Sequence, residues 1–249
     1  MLKTDSITVR FSGLTAVDHV SMEITSDKLV AIIGPNGAGK TTLFNLITGF
    51  LPPTEGRVFF NHKDITGWKP HQITNSGLCR TFQITKLFEQ LTVLDNVLVG
   101  SLWYEKRISA AREVAWEALA KVGLLDIAQQ TASGLPIGHR KRLELARVLA
   151  TQPKMVLLDE VMGGLTPQEV GEMSEVLAGI FDGGIGVVMI EHIMSAVMAL
   201  SHRIFVLNQG KLIAVGSPEE IRNNDVVLEA YLGKHFARAK AKQAEMAAQ

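Results

Sequence analysis

Residues Gly34-Pro35-Asn36-Gly37-Ala38-Gly39-Lys40-Thr41-Thr42 follow the apolar run 29–33 and precede Leu43-Phe44-Asn45-Leu46-Ile47. This order reads as a buried strand, a glycine-rich turn and a helix. Glycines admit backbone conformations that a side chain forbids. Successive N–H groups can therefore point at phosphate oxygens while the helix N-terminus faces the same charge. Lys40 is placed to reach the outer phosphates of a nucleotide, and the Thr41 hydroxyl to take one coordination position on Mg2+. The stretch completes the spacing G-x-x-x-x-G-K-[ST] in the strand-to-helix context that the chemistry needs. A chance glycine loop would supply neither the flanks nor the Lys-Thr pair.

Downstream, Met155-Val156-Leu157-Leu158-Asp159-Glu160 is an apolar strand that ends in two acids. In a parallel sheet the carboxyl ends of the strands carry the site, so Asp159 is expected beside the cradle, holding Mg2+ directly or through water. Glu160 points to the other side of the strand end and is the candidate general base for a water in line with the γ-phosphate. Taken alone, an acidic strand end could simply face solvent. A phosphate cradle earlier in the same chain favours the paired role.

The 249 residues suit one large domain or two small ones, and 47% apolar residues are ample for a core. Lys plus Arg and Asp plus Glu both number 25, so no net field draws the chain to nucleic acid or to an acidic membrane surface. Cys79 is the single cysteine, which excludes an internal disulfide framework; a lone thiol with no nearby His or Cys is not a metal site, and a reducing compartment fits. Residues 1–10 do not read as a signal peptide. The apolar stretches at 187–190 and 193–200 are short and parted by Glu191-His192, so no membrane span is expected and work at a membrane must go through a partner protein.

Residues 6–11 and 17–24 read as strands separated at Ser12-Gly13, an antiparallel edge ahead of the cradle. After the first helix come a loop at 51–56, a strand at 57–60, a turn at 61–66, a short helix at 70–75 and a strand at 78–82, with Gln83 directly behind it. Helical patterns then fill 91–151, at 93–100, 110–122 and 140–150. Strands return at 155–158, 186–190 and 203–207, with a helix at 167–181 between the first two, which argues for a largely parallel sheet. The turn Asn208-Gln209-Gly210 leads into a hairpin strand at 211–215, and Pro218 and Asp225 open two short helices. The tail 233–249, with Lys234, Arg238, Lys240 and Lys242 among alanines, reads as a frayed, solvated helix.

The order of glycine-rich turn, Gln83 after a strand, helical insert, acidic strand end and His192 after the strand at 187–190 resembles the nucleotide-binding subunit of an ABC transporter, over nearly the whole chain. Small GTPases have far less chain between the cradle and the acidic strand end. Thr81-Phe82-Gln83, Ile190-Glu191-His192, Asn208-Gln209-Gly210 and Tyr231-Leu232-Gly233 are similar to the branched-chain amino acid importer branch of that family. The resemblance implies that Gln83 is the lid glutamine, touching Mg2+ and the attacking water and sensing the permease. It implies that His192 donates to the γ-phosphate in the transition state, where the alternative is a histidine satisfied between strand and helix. Phe11 matches the aromatic that stacks on adenine, although family members often have Tyr there and a phenylalanine at a strand end is often only core.

The signature that the family writes L-S-G-G-Q stands here as Leu135-Pro136-Ile137-Gly138-His139, followed by Arg140-Lys141-Arg142. In the family this motif lies at a helix N-terminus and binds the γ-phosphate held by the other subunit. Pro136 has neither hydroxyl nor N–H, so the surface offered to a partner has fewer donors, with Gly138 N–H and the helix dipole remaining. Val161 replaces the usual Pro, and Thr166 stands where many members have the Asp of the D-loop.

The expectation is an α/β P-loop ATPase with a mostly parallel core sheet, an N-terminal antiparallel β subdomain and a helical subdomain. As one ABC ATPase domain, residues 1–82 and 152–232 form the core with its β subdomain, 83–151 the helical part and 233–249 the tail. The resemblance implies ATP and Mg2+ as ligands. It implies a second ATPase subunit, identical or paralogous, transmembrane permease subunits and indirectly a periplasmic solute-binding protein, with the chain peripheral on the cytoplasmic face of the membrane and no nucleic-acid partner. Import of branched-chain amino acids or a related small polar solute is the first functional reading. The alternatives are a nucleotide-gated binding module with little hydrolysis and the ATPase of an export system. A soluble ATPase process such as DNA repair is disfavoured, since its relatives usually carry fused second cassettes or long inserts.

Overall fold

The computed structural model describes residues 1–81 and 87–232. The chain runs β1 (Leu2–Phe11), β2 (Leu14–Ile24), β3 (Val30–Ile33), α1 (Lys40–Ile47), β4 (Glu55–Phe60), β5 (Lys63–Asp64), α2 (Pro70–Asn75) and β6 (Leu78–Arg80). The helices α3 (Val93–Tyr104), α4 (Ile108–Lys121) and α5 (Ile137–Leu149) follow. Then come β7 (Met155–Asp159), α6 (Pro167–Asp182), β8 (Gly186–Ile190), α7 (Met194–Leu200), β9 (Arg203–Asn208), β10 (Lys211–Gly216), α8 (Pro218–Arg222) and α9 (Asp225–Leu232).

These elements form two compact units. Of the described residues, the first comprises those in 1–24, 30–67 and 201–232, the second those in 25–29, 68–81 and 87–200. In the first unit an antiparallel sheet has the order β2-β1-β4-β5. Its inward face sets Val20, Met22 and Ile24, alternating along β2, and Val17 beyond a register shift, against Ile7 and Val9 of β1, all buried. Beside it, β9 pairs in parallel with β3 and antiparallel with β10. The four residues of β3 are all buried, as a strand covered on both faces requires. The expected turn at 61–66 holds the two-residue strand β5, whose Lys63 and Asp64 pair with Phe60 and Phe59; Thr66 then closes it by accepting from Val58 N–H.

In the second unit β8, β7 and β6 lie side by side and all run parallel. Both β7 and β8 are buried at every residue. The helices α3, α4 and α5 pack on one another around Val97, Ala111, Ala115, Leu119 and Leu143. The expected helix at 140–150 begins earlier, at Ile137, because Pro136 is a competent N-cap with φ −54 and needs no N–H of its own. The helix α6 starts where the sequence marks it: Thr166 caps Glu169 N–H, Glu169 returns to the Thr166 N–H, and Pro167 takes the first position. That use explains the threonine at 166 in local terms. Among the described residues, no helix is long and apolar enough to cross a membrane. Gln83 and Phe82 lie outside the described residues, as do Gly233 and the tail.

Candidate functional site

The first unit carries the cradle. The chain leaves β3 at Gly34, and a side chain there is excluded: a Cβ would sit 2.1 Å from the Leu207 carbonyl oxygen of β9. Gly39, the N-cap of α1, has φ +100, and a Cβ there would meet the Ala16 carbonyl of β2 at 2.4 Å. Between them Ala38 N–H donates to the Pro35 carbonyl (3.1 Å), and Gly210 N–H, from the β9–β10 turn, donates to the Ala38 carbonyl (2.9 Å). The loop is thus fixed by its own main chain and by two neighbouring strands. Asn36 and Gly37 form its exposed crest, while Thr41 is exposed in the first turn of α1 with Thr42 beside it, half-buried.

Lys40 is buried and arches back over this loop, its Nζ donating to the carbonyls of Gly34 (2.7 Å) and Pro35 (3.0 Å). An ammonium held against this loop, at a helix N-terminus, concentrates positive charge of the kind that suits phosphate. Phe11 ends β1 opposite Leu14 and is 43% exposed, so its ring is on the surface of this unit and available to stack.

The second unit carries the acids. Asp159, the last residue of β7, is 1% exposed. Its Oδ2 accepts from Arg80 Nη2 at 2.6 Å, its backbone N–H donates to Thr81 Oγ1 at 3.2 Å, and its Oδ1 is buried with no hydrogen-bond partner among the described residues. A buried carboxylate oxygen without a donor is the kind of group that a divalent cation or its bound water satisfies, so the donor set fits Mg2+. Glu160 follows at φ +54, a left-handed conformation that costs a non-glycine residue about 1–3 kcal/mol. The distortion turns its side chain toward His192: Oε1 lies 2.6 Å from His192 Nε2. Two residues that stand 32 positions apart in the chain are brought into one hydrogen bond. An oriented carboxylate paired with an imidazole can take a proton from water and stabilise charge nearby.

Gly138 lies in the first turn of α5 and is buried; a Cβ there would press on the Glu169 carboxylate at 2.5 Å, a flexible neighbour. Ile137 beside it is exposed, and Pro136 occupies the N-cap without a side-chain acceptor for the helix N–H groups.

Three residues of the second unit were not singled out for chemistry by sequence. Arg80 pairs with Asp159, Lys141 Nζ donates to the Glu160 carbonyl (2.8 Å), and the buried Glu191 accepts from Met162 N–H (2.8 Å). Burial pushes the Glu191 carboxyl up from its ordinary range, opposed by the N–H groups of Met162 and His192 and by the Lys141 charge. Burial likewise pushes the Lys141 ammonium down, opposed by Glu191, Glu144 and Glu160. A charged residue at the end of an otherwise buried strand is the one signal in the sequence that marks Arg80 and Glu191.

Residues 17–163 match the ABC transporter family, and residues 211–237 match the branched-chain amino acid ATP-binding cassette transporter family. The chain is 41% identical over 250 residues to the high-affinity branched-chain amino acid transport ATP-binding protein LivG of Salmonella typhimurium, a match that covers 94% of this chain and 98% of that protein. It is similar to the crystal structure of a nucleotide-free ATP-binding cassette from an ABC transporter, with a TM-score of 0.86, 35% identity, and coverage of 94% and 99%. It is similar too to the ADP conformation of MJ1267, an ATP-binding cassette of an ABC transporter, with a TM-score of 0.86, 33% identity and the same coverage. With its nucleotide cradle and acidic strand end, the chain belongs to the ABC transporter family, as one of its ATP-binding, ATP-hydrolysing subunits.

Proposed function

We propose that this subunit powers the import of branched-chain amino acids, or of a related small polar solute, from the cytoplasmic face of the membrane. The whole chain acts as one cassette, with 83–151 as its helical part. The cargo reading is supported by the match of residues 211–237 and by what LivG transports. Since a cassette of this kind has no contact with cargo, a permease and a periplasmic binding protein choose it. The active unit is a pair of subunits, identical or paralogous. In it the N-terminus of α5, with Gly138, meets the nucleotide held by the partner.

In this reading the cradle residues Gly34 to Thr42 hold the triphosphate by main-chain N–H groups, Lys40 draws charge from its outer oxygens, and Phe11 stacks on the base. Thr41, Asp159 and Gln83 would hold Mg2+, which when bound neutralises charge on the phosphates. Glu160 takes a proton from the attacking water, and His192 both orients that carboxylate and donates toward the γ-phosphate. Gln83 conveys the state of the site to the permease.

The observation that carries the hydrolytic reading is the 2.6 Å bond between Glu160 and His192 at the end of a buried strand. Glu160→Gln in the reconstituted transporter should lower ATP turnover about 10²- to 10⁴-fold while nucleotide binding persists. In the same vesicles, wild-type turnover should rise when a branched-chain amino acid and its binding protein are added outside. No such rise sinks the cargo assignment. Pro136 at the N-cap of α5 favours a second reading, a nucleotide-gated module with weak hydrolysis. Tight ATP binding with wild-type turnover no faster than that of Glu160→Gln would select it, and outward transport would select an exporter.

A further inference from the structure

The turn that follows β7 is gripped from two sides by residues that perform no chemistry themselves. Glu160 N–H still continues the parallel ladder, donating to the Ile190 carbonyl at 2.9 Å, so the departure from the strand begins at its own carbonyl. That carbonyl accepts from Lys141 Nζ at 2.8 Å and from Gly163 N–H at 3.2 Å. Two residues on, Met162 N–H donates to Glu191 Oε1 at 2.8 Å, and Oε2 of the same carboxylate accepts from His192 N–H at 3.3 Å. One buried carboxylate, 1% exposed, therefore fixes both the turn that carries Glu160 and the residue whose imidazole Glu160 meets. The opposite charges of Lys141 and Glu191 attract across the same turn.

A left-handed conformation at a glutamate persists only where its surroundings over-determine it. Here the surroundings are one charge-assisted bond to its carbonyl and one carboxylate that accepts from two nearby N–H groups. Lys141 belongs to α5, about one helical turn beyond Gly138. A displacement of the start of α5 would thus pass to the backbone of Glu160 through the half-buried stem and the bonded ammonium of Lys141.

We propose that Lys141 and Glu191 are positioning residues for hydrolysis, a brace that holds Glu160 against His192 and ties the helix carrying the signature to the base of this chain's own site. The proposal rests on the reading of Glu160 as general base. It makes α5 more than a surface for the partner's nucleotide: engagement at the N-terminus of α5 aligns the base about a turn and a side chain away.

The test uses the complete transporter in vesicles with Lys141→Met, Lys141→Arg and Glu191→Gln, alongside Glu160→Gln. The readouts are kcat and KM for ATP, the affinity of the isolated subunit for a fluorescent ATP analogue, and its Tm. Lys141→Met should lower kcat about 10- to 100-fold, since misplacing a catalytic group by about an ångström costs that much, with KM and analogue affinity changed less than about twofold. Lys141→Arg should recover kcat to within about threefold, because a charged donor is restored. If Lys141→Met does not fold, Glu191→Gln carries the same test. It keeps the length of the side chain but turns one acceptor into a donor, and should lower kcat at constant analogue affinity. A wild-type kcat in Lys141→Met, or a loss shared equally by Lys141→Arg, overturns the brace, as does a kcat loss that comes with lost analogue binding. A wild-type rate in Glu160→Gln overturns the base assignment instead, an outcome recognisable because the brace can fail while Glu160→Gln is still inactive.

Discussion

The cradle and the acidic strand end are built in different ways. The cradle is a main-chain device, held by glycines pressed against the carbonyls of Leu207 and Ala16 and by the Gly210 to Ala38 bond. At the end of β7 the candidate groups are side chains, and each is aimed by another side chain: Asp159 by Arg80, Glu160 by His192, and the turn between them and α6 by Lys141 and Glu191. A backbone device tolerates changes in surrounding side chains and fails when a Cβ is added. A side-chain device fails when any one partner is removed, because buried charge is left uncompensated.

The sharpest way to break this contrast is Arg80→Met. It strands a carboxylate that is 1% exposed and should destabilise the fold by about 3–5 kcal/mol in urea unfolding, with Arg80→Met/Asp159→Asn recovering much of the loss. Equal stability of the wild type and Arg80→Met would mean that Asp159 needs no partner. Next in size is Gly39→Ala. At φ +100, with a backbone oxygen 2.4 Å from the new Cβ, it should cost about 1–3 kcal/mol and abolish binding of a fluorescent ATP analogue. Retained binding would show that the cradle is less rigid than its backbone contacts imply.

The smallest effect concerns Cys79, the neighbour of Arg80 on β6. Burial pushes its thiol up, against a hydrogen bond with Thr151 (3.2 Å). A thiol whose folded pKa is raised adds stability below its ordinary value and loses that contribution as pH rises through the raised one. Alkylation at pH 8 should therefore be slow in the wild type, limited by opening of β6, and faster in Arg80→Met. Equal rates would show that Arg80 does not secure that strand.

The same contrast explains what could be read from residues alone. Gly34, Gly39 and Lys40 announce themselves because the loop geometry they permit is local and few other residues tolerate it. The start of α6 is equally legible, since Thr166, Pro167 and Glu169 form a cap within four consecutive positions. The start of α5 is not: Pro136-Ile137-Gly138 looks like a loop by composition, yet a proline N-cap begins the helix at Ile137. Phe11 reads from sequence equally as core or as surface, and its place at the tip of the β1–β2 hairpin is what leaves it exposed.

What the amino-acid order determined by itself is the chemistry that depends on neighbours in sequence: a phosphate loop between strand and helix, an apolar strand ending in Asp159-Glu160, a histidine after β8, and the capped helices. What only the tertiary structure decided is which distant side chains aim those groups. Arg80 reaches Asp159 across 79 positions, His192 reaches Glu160 across 32, and Lys141 reaches the Glu160 carbonyl across 19. The physical reason is range. Backbone conformation is set within a few residues, whereas the pairing of buried charges is set by whichever segments the packing of sheet and helices brings together, and no local pattern encodes that meeting.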